Sequence, residues 1–103
     1  MGTARPRPQR LPAKLLQIRE AFGATQEELV RLLGAEGDIT RSYVSLFESG
    51  QREPPMPIVL KYARLAGVSM DVLVDDDLDL PGRIPANPPY HPSVARDRGR
   101  RRS

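Results

Sequence analysis

Residues 25–50 read TQEELVRLLGAEGDITRSYVSLFESG, and the punctuation of this stretch decides the fold. Thr25 can accept a hydrogen bond from a free N–H of a first helical turn, while Glu28 reaches back to the chain before it; together they form a capping box. Glu27 and Glu28 also suit the positive end of a helix. The helix that starts here runs to about Leu33 and stops at Gly34. Ala35 to Asp38 is a loop. Thr40 is expected to cap the next helix, which turns Val44 and Phe47 inward and closes at Gly50.

The flanks read the same way. Upstream, Leu11, Leu15, Ile18 and Phe22 recur at helical spacing and are ended by Gly23. Downstream, Pro54, Pro55 and Pro57 force a turn but permit a helix start, because proline is tolerated in a first turn. A fourth helix is expected from about Met56 to Ala66, ended by Gly67. Ser69 then caps a short fifth helix through about Asp75. No stretch shows sustained period-2 alternation and no internal repeat is visible, so the expectation is an all-α domain of five helices.

Composition sets its limits. A chain of 103 residues has room for one domain. Without cysteine it has neither a disulfide nor a thiolate metal site. Its apolar runs are too short to span a bilayer, and no signal-like stretch opens it, which points to a cytoplasmic protein. The net charge of +3 is unevenly spread. Residues 1–12 carry three Arg and no acid, residues 13–80 carry seven basic against twelve acidic side chains, and residues 81–103 carry six Arg against Asp97. Prolines cluster in the two basic ends. These compositions predict a disordered basic arm (1–12), a folded unit (13–80) and a disordered Pro/Arg-rich tail (81–103), with ends that could reach a polyanion.

Two neighbouring helices joined by a short connection outline a helix-turn-helix, whose later helix enters the major groove of DNA. Three motifs sharpen that outline. They are Arg19-Glu20 with Gly23 and Thr25-Gln-Glu-Glu-Leu29; Val44-Ser45 with Glu48, Gly50, Arg52 and Pro54; and Leu60-Lys61 with Ala63-Arg64 and Gly67-Val68-Ser69. In this order they resemble the Cro/cI-type (XRE) helix-turn-helix family of phage repressors and bacterial regulators, over roughly residues 13–75. The resemblance implies a compact five-helix, lambda-repressor-like domain acting as a sequence-specific transcriptional regulator, a repressor, on double-stranded DNA, in a bacterial or phage, nucleoid-associated setting. It implies base contacts from Thr40, Arg41, Ser42, Tyr43 and, one turn further on, Leu46. It implies phosphate contacts from Gln26, Ser49, Gln51 and Arg52. It also implies a structural ion pair between Arg19 and Glu48.

The chemistry of these side chains suits the roles. Arg41 is the one residue of the expected reading face able to bond guanine in bidentate fashion. Ser42 and Tyr43 can bond a base or a phosphate; Leu46 offers only apolar contact. Two features depart from the family pattern. Ala35 to Asp38 lengthens the turn by about four residues and brings two acids near the DNA side. Val30 stands where the family prefers Ala, at the closest approach of the two helices.

Other groupings carry less. Asp71, Asp75, Asp76, Asp77 and Asp79 lack the glycine and bidentate glutamate of a calcium loop and read as a solvated acidic face turned away from DNA. His91 has no partner for a metal or for catalysis. No nucleophile–base arrangement and no phosphate-binding glycine loop is present, so no enzyme, cofactor, metal or small-molecule substrate is expected. Ile58, Tyr62, Leu65 and Val72 form an apolar set where relatives are more polar. Either Leu78 and Leu80 fold back over it, or it is an interface to a second copy or a protein partner. The interface reading leaves open an alternative function: a protein-interaction module or antitoxin on the same fold, with DNA contact secondary. A third possibility is non-specific nucleic-acid binding driven by the Arg-rich tail.

Overall fold

A computed structural model describes residues 7–84. Five helices follow in order: α1 (Leu11–Phe22), α2 (Gln26–Leu33), α3 (Arg41–Ser49), α4 (Met56–Ala66) and α5 (Met70–Val74). The described residues form no strand; an isolated bridge joins Glu36 and Ile39.

Local chemistry explains most helix ends. Both halves of the capping box at α2 are made: Glu28 N–H donates to Thr25 Oγ1 at 3.0 Å, and Thr25 N–H donates to Glu28 Oε1 at 2.9 Å. Gly34 ends α2 at φ 69°, a left-handed conformation that a side chain would strain. Thr40 and Ser69 occupy the N-cap positions of α3 and α5 in extended conformation, yet neither side chain bonds its helix.

The N-terminus of α1 is completed from the far end of the chain. Its first turn carries no acid and no side-chain cap of its own. Asp76 supplies one: Oδ2 accepts from Gln9 N–H at 2.9 Å and Oδ1 from Arg10 N–H at 3.0 Å. The Arg10 guanidinium in turn donates to the Asp76 carbonyl at 2.7 Å and pairs with Asp79. One turn along α1, Lys14 is only 3 % exposed. Its ammonium donates to the carbonyls of Val72 (2.7 Å), Asp75 (3.0 Å) and Leu78 (2.7 Å), satisfying groups that the end of α5 leaves bare. Burial lowers the Lys14 pKa from its ordinary value.

This clasp revises the expected boundaries. Leu11 begins α1 and is buried, so the last residues of the predicted arm belong to the fold. Leu80 and Ile84 are buried with the core, so the fold also passes residue 80. The remaining parts of the expected arm and tail, residues 1–6 and 85–103, lie outside the described residues. The acidic run is not simply a solvated face, because Asp76 and Asp79 hold α1 in place.

One core unites the helices. Leu15 and Ile18 of α1, Leu29 of α2, Val44 and Phe47 of α3, Tyr62 of α4 and Leu73 of α5 are almost wholly enclosed. Both apolar stripes of α4 are used: Ile58 (4 % exposed) and Tyr62 (0 %) are buried along with Val59, Ala63 and Ala66. Leu65 and Val72 pack against the same cluster, half-buried. The apolar set expected as a possible interface is therefore spent largely inside the domain. Leu80 joins the core, as the fold-back reading anticipated, while Leu78 stays 39 % exposed. The Tyr62 hydroxyl is buried without a hydrogen-bond partner, and burial pushes its pKa up.

Candidate nucleic-acid interface

α3 packs against both α1 and α2. Val44 and Phe47 turn inward, so the opposite side of α3 is left to solvent. Thr40, Arg41, Ser42, Ser45 and Ser49 are exposed there. Arg41 makes no hydrogen bond or ion pair among the described residues; its guanidinium keeps all its donors. Ser45 stands four positions after Arg41 on the same exposed face, a position the i, i+4 spacing from Arg41 marks but the sequence reading did not name. Leu46 was placed on that face, but it is half-buried and contributes an edge only.

Tyr43, expected to contact a base, also packs within the domain. Its ring is half-buried and stacks on Phe47, with centroids 6.2 Å apart and planes at 27°. The Arg52 guanidinium lies 5.0 Å from the centroid of the Tyr43 ring. This cation–π contact steadies an exposed arginine just beyond the end of α3.

The loop after α3 is drawn in under the Leu46 carbonyl. That oxygen accepts from Gln51 N–H at 3.0 Å, Arg52 N–H at 3.2 Å and the Ser49 hydroxyl at 3.1 Å. The side chains of Gln51 and Arg52 are left exposed. Ser49 is exposed too, but its hydroxyl proton is already committed, so in this rotamer it cannot donate to an anion.

Arg19 and Glu48 meet. Arg19 Nε donates to Glu48 Oε2 at 2.7 Å, and Nη2 donates to Oε1 at 3.0 Å. Nη1 donates to the Ala24 carbonyl at 2.9 Å. Gln26 Nε2 donates to Glu48 Oε1 at 3.2 Å, which leaves that amide a second N–H. The network joins α1, the start of α2 and the end of α3, and the Glu48 side chain is only 7 % exposed. The bidentate bond to Glu48 raises the Arg19 pKa above its ordinary value.

The long α2–α3 connection is a tight turn. Asp38 N–H and Ile39 N–H both donate to the Ala35 carbonyl, at 2.9 and 3.1 Å. Ala35 and Ile39 are buried at the feet of the turn, 0 % and 8 % exposed, and Val30 is buried nearby in α2. Glu36, Gly37 and Asp38 stand out into solvent. An open cleft of about 320 Å³ lies between this turn, α2 and the start of α3, and Arg31, Glu36, Ile39 and Arg41 are among its lining residues.

Comparison with known families matches residues 15–73, more than half of the chain, to a helix-turn-helix family of the Cro/C1 (XRE) type. The chain belongs to that family. Comparisons with curated proteins and with solved structures give no match. As a Cro/C1-type helix-turn-helix protein it is placed among DNA-binding transcription regulators. The matched span runs from Leu15 to Leu73 and includes both partners of the Arg19–Glu48 pair and the whole of α3. Among the described residues, no helix is long and apolar enough to cross a membrane, and no group of acidic or histidine side chains is arranged to hold a metal.

Proposed function

We propose that this protein is a sequence-specific transcriptional repressor that lays α3 in the major groove of double-stranded DNA. The observation that carries the reading is the unpaired Arg41 at the exposed N-terminal end of α3, on a helix held at both ends. Recognition helices present their N-terminal residues to base edges. There Arg41 bonds the N7 and O6 of a guanine. Thr40, Ser42 and Ser45 bond neighbouring bases or phosphates, and Leu46 gives an apolar edge. Tyr43 serves chiefly as the platform for Arg52.

Phosphates are met by Arg52, Gln51 and the spare N–H of Gln26 on either side of α3. These contacts fix register and orientation without reading sequence. The described residues carry ten basic and twelve acidic side chains, so affinity rests on the local field of Arg31, Arg41 and Arg52 rather than on net charge. Repression by occupancy asks nothing further of the domain than tight docking. The rival reading, a protein-interaction module or antitoxin, leaned on the Ile58–Tyr62–Leu65 patch; with Ile58 and Tyr62 in the core, it loses that support.

Selection from a random duplex pool tests the proposal. The wild-type protein should yield a defined site containing guanine. Arg41→Ala should lose about 1–3 kcal/mol of discrimination at one or two base pairs, with its helical circular dichroism unchanged. A preferred sequence that survives Arg41→Ala intact would show that α3 is not the reading helix.

A further inference from the structure

We propose that Glu36, in the lengthened α2–α3 turn, is a specificity-determining residue that reads the amino group of a cytosine beside the guanine bound by Arg41. The inference rests on the major-groove docking of α3 proposed above. It starts from the cleft that Glu36 and Arg41 share.

Glu36 is held in a defined place. Ala35 and Ile39 anchor the turn in the core, and the Ala35 carbonyl closes it with two hydrogen bonds of 2.9 and 3.1 Å. Gly37 at its tip has φ 91°, so the chain reverses there in a conformation few other residues adopt. Glu36 itself is exposed and forms no ion pair among the described residues. A carboxylate so placed is carried toward the DNA, because the turn runs directly into the N-terminal end of α3.

A carboxylate in that position has few favourable partners. Phosphate repels it. In the major groove guanine offers the acceptors N7 and O6, thymine offers the acceptor O4 and a methyl group, and adenine sets the N7 acceptor beside its amino donor. Cytosine presents the N4 amino donor without a neighbouring acceptor of its own. Arg31 and Arg41 line the cleft together with Glu36 and Glu27, so its two cations balance its two carboxylates and reduce the cost of bringing Glu36 close to DNA. The pairing is complementary: a forked donor for guanine and an acceptor for cytosine, side by side in one cleft. Asp38 stands on the same turn but does not line the cleft, so it provides the control.

The test measures binding of wild type, Glu36→Gln, Asp38→Asn and Arg41→Ala to duplexes that differ from the selected site at single base pairs. The selected site should carry a cytosine next to the guanine read by Arg41. Glu36→Gln should move that preference from cytosine toward adenine, which a glutamine bonds through N6 and N7, by about three- to ten-fold. Asp38→Asn should leave every base preference in place. Arg41→Ala should remove the guanine preference and keep that for cytosine. If Glu36→Gln raises affinity for all duplexes by one factor that fades with salt, the carboxylate only repels phosphate and the proposal is overturned. If the wild type shows the guanine preference with no cytosine beside it, this inference fails while the reading of α3 stands. If the wild type selects no sequence, both fail.

Discussion

Replacing Glu48 by alanine tests the joint on which the placement of α3 depends. The wild-type side chain accepts two hydrogen bonds from Arg19 and one from Gln26 while only 7 % exposed. Removing it leaves the Arg19 guanidinium, 20 % exposed, with the Ala24 carbonyl alone. Breaking a fully buried ion pair costs about 3–5 kcal/mol, most of it the burden of the stranded charge. Water still reaches part of Arg19, which sets the expected loss at about 2–4 kcal/mol. For a unit of this size each kcal/mol lowers the melting temperature by about 4–8 °C. Urea and thermal unfolding followed by circular dichroism measure the loss, and a double-mutant cycle with Arg19→Met isolates the pair. Each single change should destabilise strongly, and the double change should cost less than the two together. A coupling energy below about 0.5 kcal/mol, the range in which independent sites add, would refute the claim that this pair joins α1 to α3.

The remaining predictions concern the clasp and the core. Hydrogen bonds from Arg10 N–H and Gln9 N–H hold the Asp76 carboxyl below its ordinary value of 3.8. Its contribution is therefore complete above that value and lost as pH falls through the lower folded one. Asp76→Asn should flatten the acid-side decline in stability seen by urea unfolding; an unchanged pH profile would show that the cap carries no stability. Tyr62→Phe should be neutral or slightly stabilising, because it removes a buried hydroxyl that has no partner. Tyr62→Glu should unfold the domain rather than split a dimer, and a folded monomer from that variant would contradict the burial of this ring.

Much of the fold could be read from the chain because its signals are local. Gly23, Gly34, Gly50 and Gly67 each follow a helix, and the Thr25–Glu28 box lies within four residues. The Arg19–Glu48 pair is different: 29 residues separate its members, and only the family resemblance brought them together. Where such guidance ended, the reading faltered. Periodicity shows that α4 has two apolar stripes but not that both are buried in the folded domain. Lys14 gives no sign in sequence that its ammonium will hold three carbonyls some 60 residues away. Asp76 and Asp79 looked like surface charge because their partners, Gln9 and Arg10, sit in a stretch whose prolines and arginines resemble a loose arm. On α3, Leu46 is half-buried and Ser45 exposed, a difference that helical spacing alone does not fix.

The clasp between α1 and the segment after α5 also determines how the domain bears load. Gln9 and Arg10 meet Asp76 and Asp79 across 66 to 69 residues of chain, so everything between them lies inside a closed ring. Tension applied through chain that enters before Gln9 and leaves after Ile84 falls first on the packing of Ile84 and Leu80, then on the clasp and the Lys14 carbonyl bonds beside it. The α2–α3 pair, inside the ring, carries no pull until the clasp opens. Opposed pulls on the two ends are therefore met at the clasp before they reach α3.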